Sequence, residues 1–381
     1  MCRSSVHLRL RRPRYLAALA VVSWPLWGSG LAVAQPSAAS LADTTVFAQE
    51  VEALRQRYHI PSLSVGLVQQ GKLVWYKGLG YADVEHQLRP TPHTVYHLAS
   101  LTKTFGAIVL LQLVEAGKIK LDDPVTKYHI HLGARWENDP RIQLKHLLTH
   151  TAQGNTFNGF RPGYSFGYNG DYFAQLIKPI EQESNESFGS LLVRQVLRPL
   201  SLAHTAPNLA DTVNFALTGY DRAAYGRLVA KPYDFRKGQL VAVSYPTYFG
   251  PSAGLMSCVS DLARYSHALD QQQLLSPATW QTVFTPFRSP KGKALPYGFG
   301  WFIQSYRGLS LRWHTGWWVG SSSLLVKVPE KDLTLIILAN SQDVSRPFYA
   351  KHDFFRTNPR LQKDVRASAF ANSFLVHFIR K

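Results

Sequence analysis

The chain has 381 residues, a formal net charge of +18 at pH 7 and a hydrophobic content of 45%. That length and apolar fraction supply a large core, in one large domain or two intimately joined ones. The two cysteines, Cys2 and Cys258, exclude a fold that leans on disulfides, and scattered rather than clustered Lys and Arg exclude a nucleic-acid-binding stripe.

Residues 1–34 read as a secretory leader, with Arg3, Arg9, Arg11, Arg12 and Arg14 ahead of an apolar run from Leu16 to Leu31 and a small-residue site at Ala32-Val33-Ala34. Cleavage after Ala34 is expected, with the mature protein periplasmic or secreted in a bacterial envelope. The run is broken by Ser23, Pro25, Gly28, Ser29 and Gly30, which weakens the alternative of an uncleaved membrane anchor. The leader carries five arginines and no acid, so the mature chain stays basic. This surplus fits a weak attraction to anionic surfaces such as an envelope polymer, or a plain solubility charge.

A helix is predicted from Thr45 to Tyr58, followed by strands over Ser62–Val68 and Leu73–Leu79 around the turn residues Gln70-Gly71-Lys72. Helical periodicity then runs through Phe105–Ala116, Phe188–Leu197 and Val259–Leu269. Three more strands are predicted at Leu311–His314, Ser322–Val328 and Leu333–Leu338, and a closing helix at Ala367–Ile379. The pattern is α+β: an antiparallel sheet of about five strands drawn from both chain ends and flanked by helices, with a mostly helical insertion. The expected division is 1–34 as leader, 35–104 with 290–381 as the sheet-containing part, and 105–289 as the helical insertion. A cleft at the junction is where a ligand is expected.

The chemistry is signalled by Ser100-Leu101-Thr102-Lys103 at the start of an apolar stretch expected to be a strongly amphipathic helix. A lysine three residues after a serine lies on the same helix face and serves as its base when neutral, which calls for a dry site or a neighbouring cation. Taken alone such a pattern arises about once by chance in a chain like this. Its context is richer: Ile142-Gln143-Leu144-Lys145-His146-Leu147-Leu148-Thr149-His150-Thr151, Pro162-Gly163 before Phe166-Gly167-Tyr168, Gly254-Leu255 with Asp261-Leu262-Ala263, Tyr297-Gly298-Phe299-Gly300-Trp301, and His314-Thr315-Gly316.

On these six ordered segments, roughly Ile60 to Asn340, the chain resembles the serine beta-lactamase-related family: class C beta-lactamases, D,D-peptidases and related esterases. The resemblance implies a beta-lactamase/transpeptidase-like fold. It also implies Ser100 as nucleophile, Lys103 and Tyr168 sharing its proton, and His314 at the third motif, where many relatives have Lys. Protonated, His314 would hold an anionic substrate group; neutral, it would only make hydrogen bonds. Substrate binding falls by the same resemblance to Asn169, Thr315, Gly316 and Trp317, with the amides of Ser100 and Trp317 as the oxyanion hole and Trp317-Trp318 as an aromatic wall.

Two departures stand out. The family's second motif is Tyr, any residue, Asn, whereas here Asn169 follows Tyr168 directly, with Asn155 and Asn158 as possible substitutes. Only 16 residues separate Thr151 from Tyr168, fewer than in most relatives, which either opens the cleft to bulky acyl donors or damages the site. No cofactor and no metal is expected. His146 and His150 have metal-ligand spacing but lack the accompanying Glu and a third ligand; His93, His97, His129 and His131 read as polar loop groups. The resulting expectation is an exported serine hydrolase forming a Ser100 acyl-enzyme with an ester, a D-amino-acid peptide or amide, or a beta-lactam. Esterase or peptidase activity ranks above true beta-lactamase activity. The alternative is a weak or inactive cell-wall or ligand-binding protein on the same fold. The partner in either case is a small-molecule or peptide acyl donor, the cell wall being one source.

Overall fold

A computed structural model describes residues 41–132, 139–152, 161–349 and 361–379. The expected leader and its cleavage site lie outside these residues, as do Asn155 and Asn158 and half of the shortened stretch before Tyr168. Among the described residues no helix is long and apolar enough to cross a membrane.

Six strands form one antiparallel sheet: β1 (Ser62–Gln69), β2 (Lys72–Gly80), β3 (Phe302–Tyr306), β4 (Leu309–Trp318), β5 (Ser321–Val328) and β6 (Leu333–Ala339), in the order β2-β1-β6-β5-β4-β3. The two ends of the chain meet where β1 pairs with β6, Val65 opposite Ile337. Five of these strands answer the hydrophobic pattern. The sixth, β3, joins β4 through Arg307-Gly308, both at positive φ (49° and 82°), the two-residue turn whose twist suits a hairpin. A three-stranded ribbon of Tyr96–His97, Leu255–Ser257 and Ala206–Pro207 was not foreseen, its strands being too short to show a period.

The period-2 alternation splits the core into two layers. Leu63, Val65, Leu324, Val326, Leu335 and Ile337 point to the face covered by helices α1 (Leu41–Arg57), through Phe47 and Val51, and α4 (Ala369–Phe378), through Phe370 and Phe374. Leu325, Ile336 and Leu338 point the other way, into the helical region with α2 (Thr102–Glu115) and α3 (Val259–Asp270). The expected amphipathic character of α2 is corrected here: every residue from Thr102 to Leu111 is buried. A helix apolar all round belongs at the centre of a domain, and this one carries the Ser100 turn into the middle of the fold. The Phe188–Leu197 periodicity resolves into an α-helix to Leu192 and a π-helical turn from Val193.

Candidate active site

The serine is delivered by a strained turn. After Tyr96–His97 pairs with Ser257 and Met256, the Leu98 amide donates to Leu255 O (2.8 Å) and Ala99 turns left-handed at φ 49°. A residue with a Cβ holds such a φ only where its surroundings impose it. Here the Ala99 amide donates to Nδ1 of the buried His97 (3.1 Å), and the Leu255 amide donates to Thr102 Oγ1 (3.2 Å). His97 is therefore a buried brace on a strand, not the polar loop group expected. The turn Ala99–Leu101 is one of 3-10 geometry and runs straight into α2, leaving Ser100 half-buried at its start.

Strand β4 lies directly against this turn. A Cβ on Gly316 would fall 2.1 Å from Leu98 O and 3.1 Å from Ala99 Cβ, so only glycine permits the approach. Ser323 Oγ on β5 donates to the same Leu98 carbonyl at 2.7 Å. The backbone that carries Trp317 is thus brought beside Ser100, the side from which an oxyanion would be met.

Lys103 Nζ stands 3.1 Å from Ser100 Oγ and donates to Ser252 O at 2.9 Å. Only 1% of the residue is exposed. Burial disfavours the ammonium and brings the pKa down to about 7, against a smaller opposing pull from the Asp171 charge. Nζ also lies 5.2 Å from the ring centre of Tyr168 and 5.5 Å from that of Phe173. The lysine is therefore poised between its two protonation states near neutrality, as a base for Ser100 requires.

The second motif packs on His150, whose φ of 54° ends the helix Leu144–Leu148 one residue after its cap. His146 and His150 consequently do not share a helix face: His146 Nδ1 accepts from the Gln143 amide (3.0 Å), while the His150 ring packs 4.2 Å from that of Tyr168. Burial, chiefly, with the neighbouring Lys103, holds the His150 pKa well below the ordinary histidine value. The Tyr168 hydroxyl is buried without a hydrogen-bond partner. Burial raises its pKa, with the Ser100 hydroxyl near enough to oppose the shift, so Tyr168 is a neutral phenol beside Ser100.

The hydrogen bonds of Lys103 go to Ser100 and Ser252, not to Asn169. Asn169 Oδ1 caps the short helix Gly170–Ala174 by accepting from Tyr172 N (3.0 Å), and its amide donates to His150 Nδ1 (3.2 Å). The residue two after Tyr168 is Gly170, and a Cβ there would lie 3.7 Å from Lys103 Nζ, with no other contact within 4 Å among the described residues beyond its chain neighbours and its own helix. The position where the family has its second-motif asparagine is thus filled by glycine, and the Asn169 side-chain oxygen is spent on the helix cap.

His314 is wholly buried. Its Nδ1 lies 2.7 Å from Thr315 O, which only accepts, so Nδ1 carries the proton and Nε2 accepts from Tyr297 OH at 2.8 Å. Burial and the Lys103 charge lower its pKa to about 3. Of the two states considered from sequence, burial favours the neutral one, and its two nitrogens are both engaged by neighbours rather than offered to a substrate anion. Thr315 is also inaccessible to substrate: its hydroxyl donates to Ser323 O (3.0 Å) and meets Ser345 Oγ (2.5 Å). Trp317 is half-buried and stacks on Tyr349 (4.6 Å), while Trp318 packs against Tyr248 (5.9 Å) and edge-on to His97 (5.8 Å). The tryptophans thus face different neighbours rather than forming one wall.

Residues 47–354 match the family model described as Beta-lactamase. The chain belongs to the beta-lactamase family. Among relatives, it is 24% identical over 329 residues to Protein flp of Staphylococcus aureus strain N315, covering 78% of this chain and 63% of that protein. It is 24% identical over 313 residues to Penicillin-binding protein 4* of Bacillus subtilis strain 168, covering 72% and 66%. A solved octameric penicillin-binding protein homologue from Pyrococcus abyssi superposes with a TM-score of 0.68 at 25% identity, over 79% of this chain and 74% of that one. The chain thus spans just under two thirds of the length of the first of these relatives. Within the family frame, sequence reasoning missed His97, Tyr297 and Gly170 as site residues. Tyr297 stood inside a motif already singled out, and Gly170 was visible as the residue two after Tyr168; His97 offered no local signal.

Proposed function

We propose that this protein is an exported serine hydrolase that forms an acyl-enzyme through Ser100 and releases it to water. The observation that carries the reading is the buried Lys103 amine 3.1 Å from Ser100 Oγ with its pKa brought to about 7. As Oγ attacks a carbonyl its proton passes to neutral Lys103; Tyr168 then gives its phenol proton to the leaving group and takes the proton held by the Lys103 ammonium in its place, so that both end the step as they began. The entrance of α2 and the strand backbone at Trp317 meet the developing oxyanion.

Esters, and D-amino-acid peptides or amides without a free carboxylate, are preferred over beta-lactams. The neutral, fully engaged His314 and the buried Thr315 hydroxyl leave these two without a cation or free donor for a substrate carboxylate, and the carboxamide that would bind an amide side chain is missing at Gly170. The relatives named as penicillin-binding make penicillin a fitting probe. A fluorophosphonate or penicillin should add covalent mass to the protein but not to Ser100→Ala, and p-nitrophenyl ester turnover should vanish in that variant. No label and no turnover on esters, D-Ala-D-Ala peptides or a chromogenic cephalosporin would sink the reading.

Gly170 favours a second reading, a protein of the same fold that binds acyl compounds with little turnover. The substitution Gly170→Asn separates the two. A hydrolase tuned to simple esters should keep its ester turnover and gain on amide-bearing substrates, chiefly through a lower KM. A binding protein should remain inert toward both.

A further inference from the structure

Among the described residues, three metal-capable side chains from distant parts of the chain converge: His93, His204 and Cys258 offer ligand atoms that all lie within 4.8 Å of one another. They sit around the three-stranded ribbon, His93 before Tyr96–His97, His204 before Ala206–Pro207, and Cys258 directly after Leu255–Ser257. Cys258 is a free, buried thiol at the foot of the group, His204 is half-buried and His93 is exposed.

The surroundings are those of a site rather than of a chance encounter. The two imidazoles face each other with centroids 4.8 Å apart and planes 31° from parallel. His204 Nδ1 is buried without a hydrogen-bond partner, an atom that costs stability unless something coordinates it. Asp261, fully buried, fixes the His204 backbone through Oδ2 (2.7 Å) and places Oδ1 3.8 Å from that same Nδ1. Ser260 Oγ lies 2.9 Å from His93 Nδ1 and 3.2 Å from Cys258 Sγ, so one hydroxyl ties two of the three donors. Groups of this kind orient metal-bound imidazoles.

We propose that His93, His204 and Cys258 form a binding site for one Zn2+ ion, with the fourth position open to water on the His93 side. Two imidazoles and one thiolate are a donor set that selects zinc over hard cations such as Mg2+ or Ca2+. Tetrahedral zinc bonds of ordinary length set N···S separations of about 3.5 Å, so the group must close by roughly an ångström. The His93 ring, the exposed member of the three, supplies that movement by turning about its hydrogen bond to Ser260. On binding, the thiol gives up its proton and the ion joins three segments into one clamp. The clamp lies one strand from the serine turn, since Leu255 on the same ribbon accepts from Leu98 N and donates to Thr102.

The test uses the full chain, untagged, with Cys2→Ser so that Cys258 is its single thiol. Zn2+ titrated against a chromophoric chelator should bind at one per chain and raise Tm, and Co2+ should give a thiolate charge-transfer band in the near ultraviolet. Cys258→Ser should abolish that band. His93→Ala, at an exposed position that leaves the core intact, and His204→Gln should each weaken Zn2+ at least about tenfold. Absence of stoichiometric Zn2+ binding in the parent, or an affinity unchanged by both histidine variants, would overturn the proposal. None of these readouts involves Ser100, so the outcome is independent of the hydrolase reading.

Discussion

Lys103 is stripped of water by its position on α2 and receives one carbonyl, from Ser252, and one hydroxyl, from Ser100. Only the neutral amine can take the serine proton, so acylation should rise with pH and level off above an apparent pKa of about 7. Stopped-flow labelling by a fluorophosphonate across the neutral range reads this directly, and a flat profile would remove Lys103 as the base. Lys103→Ala should lower the acylation rate about 10²- to 10⁴-fold. Tyr168 makes the opposite kind of test. Its hydroxyl is buried with no hydrogen bond and only the nearby Ser100 hydroxyl to offset its desolvation, so Tyr168→Phe should leave stability unchanged or raise it by about 1 kcal/mol while losing turnover. Urea unfolding and ester kinetics on one preparation decide it; a loss of stability would mean that the hydroxyl has a partner in solution.

Elements matter through how closely they approach. Strand β4 and the turn before α2 touch at Gly316, where a methyl group would sit 2.1 Å from Leu98 O. Gly316→Ala should therefore push the strand off the serine turn, costing about 1–3 kcal/mol in overpacking and a disproportionate share of kcat, because the Trp317 amide moves with the strand. Equal losses in kcat and in folded fraction would assign the glycine to stability alone. The hairpin of β3 and β4 shows why one strand escaped the sequence pattern. Its turn is Arg307-Gly308 rather than Asn-Gly, and Arg307 in the left-handed region has no local sequence cue.

Over the described residues, burial keeps His97, His146, His150 and His314 neutral. His97 and His146 are lowered to about 4 and His314 to about 3, with His150 well below its ordinary value, all chiefly through desolvation. An unfolded histidine binds its proton near pH 6.5, so below that pH the unfolded chain holds more protons than the folded one. Stability should be unaffected by these groups above pH 6.5 and fall steadily from there toward pH 4, by on the order of 3 kcal/mol per fully buried histidine. Tm measured at closely spaced pH values reads the slope, and an unchanged Tm between pH 6.5 and 4.5 would contradict the neutral histidines. Much of the architecture was legible beforehand for the same reason that the site was only half legible. Hydrophobic period is local, so β1, β2, β4, β5, β6 and the helices around Phe105 and Val259 could be read from neighbours in the chain. The three-residue spacing of Ser100 and Lys103 is local too, and the chain by itself determined which serine has an amine on its own helix. What that amine does depends on groups far away in sequence: the Ser252 carbonyl on Lys103, Tyr297 on His314, and Leu98 against Gly316. Charge state and access follow from burial, and burial exists only once the two ends of the chain have closed the sheet around α2.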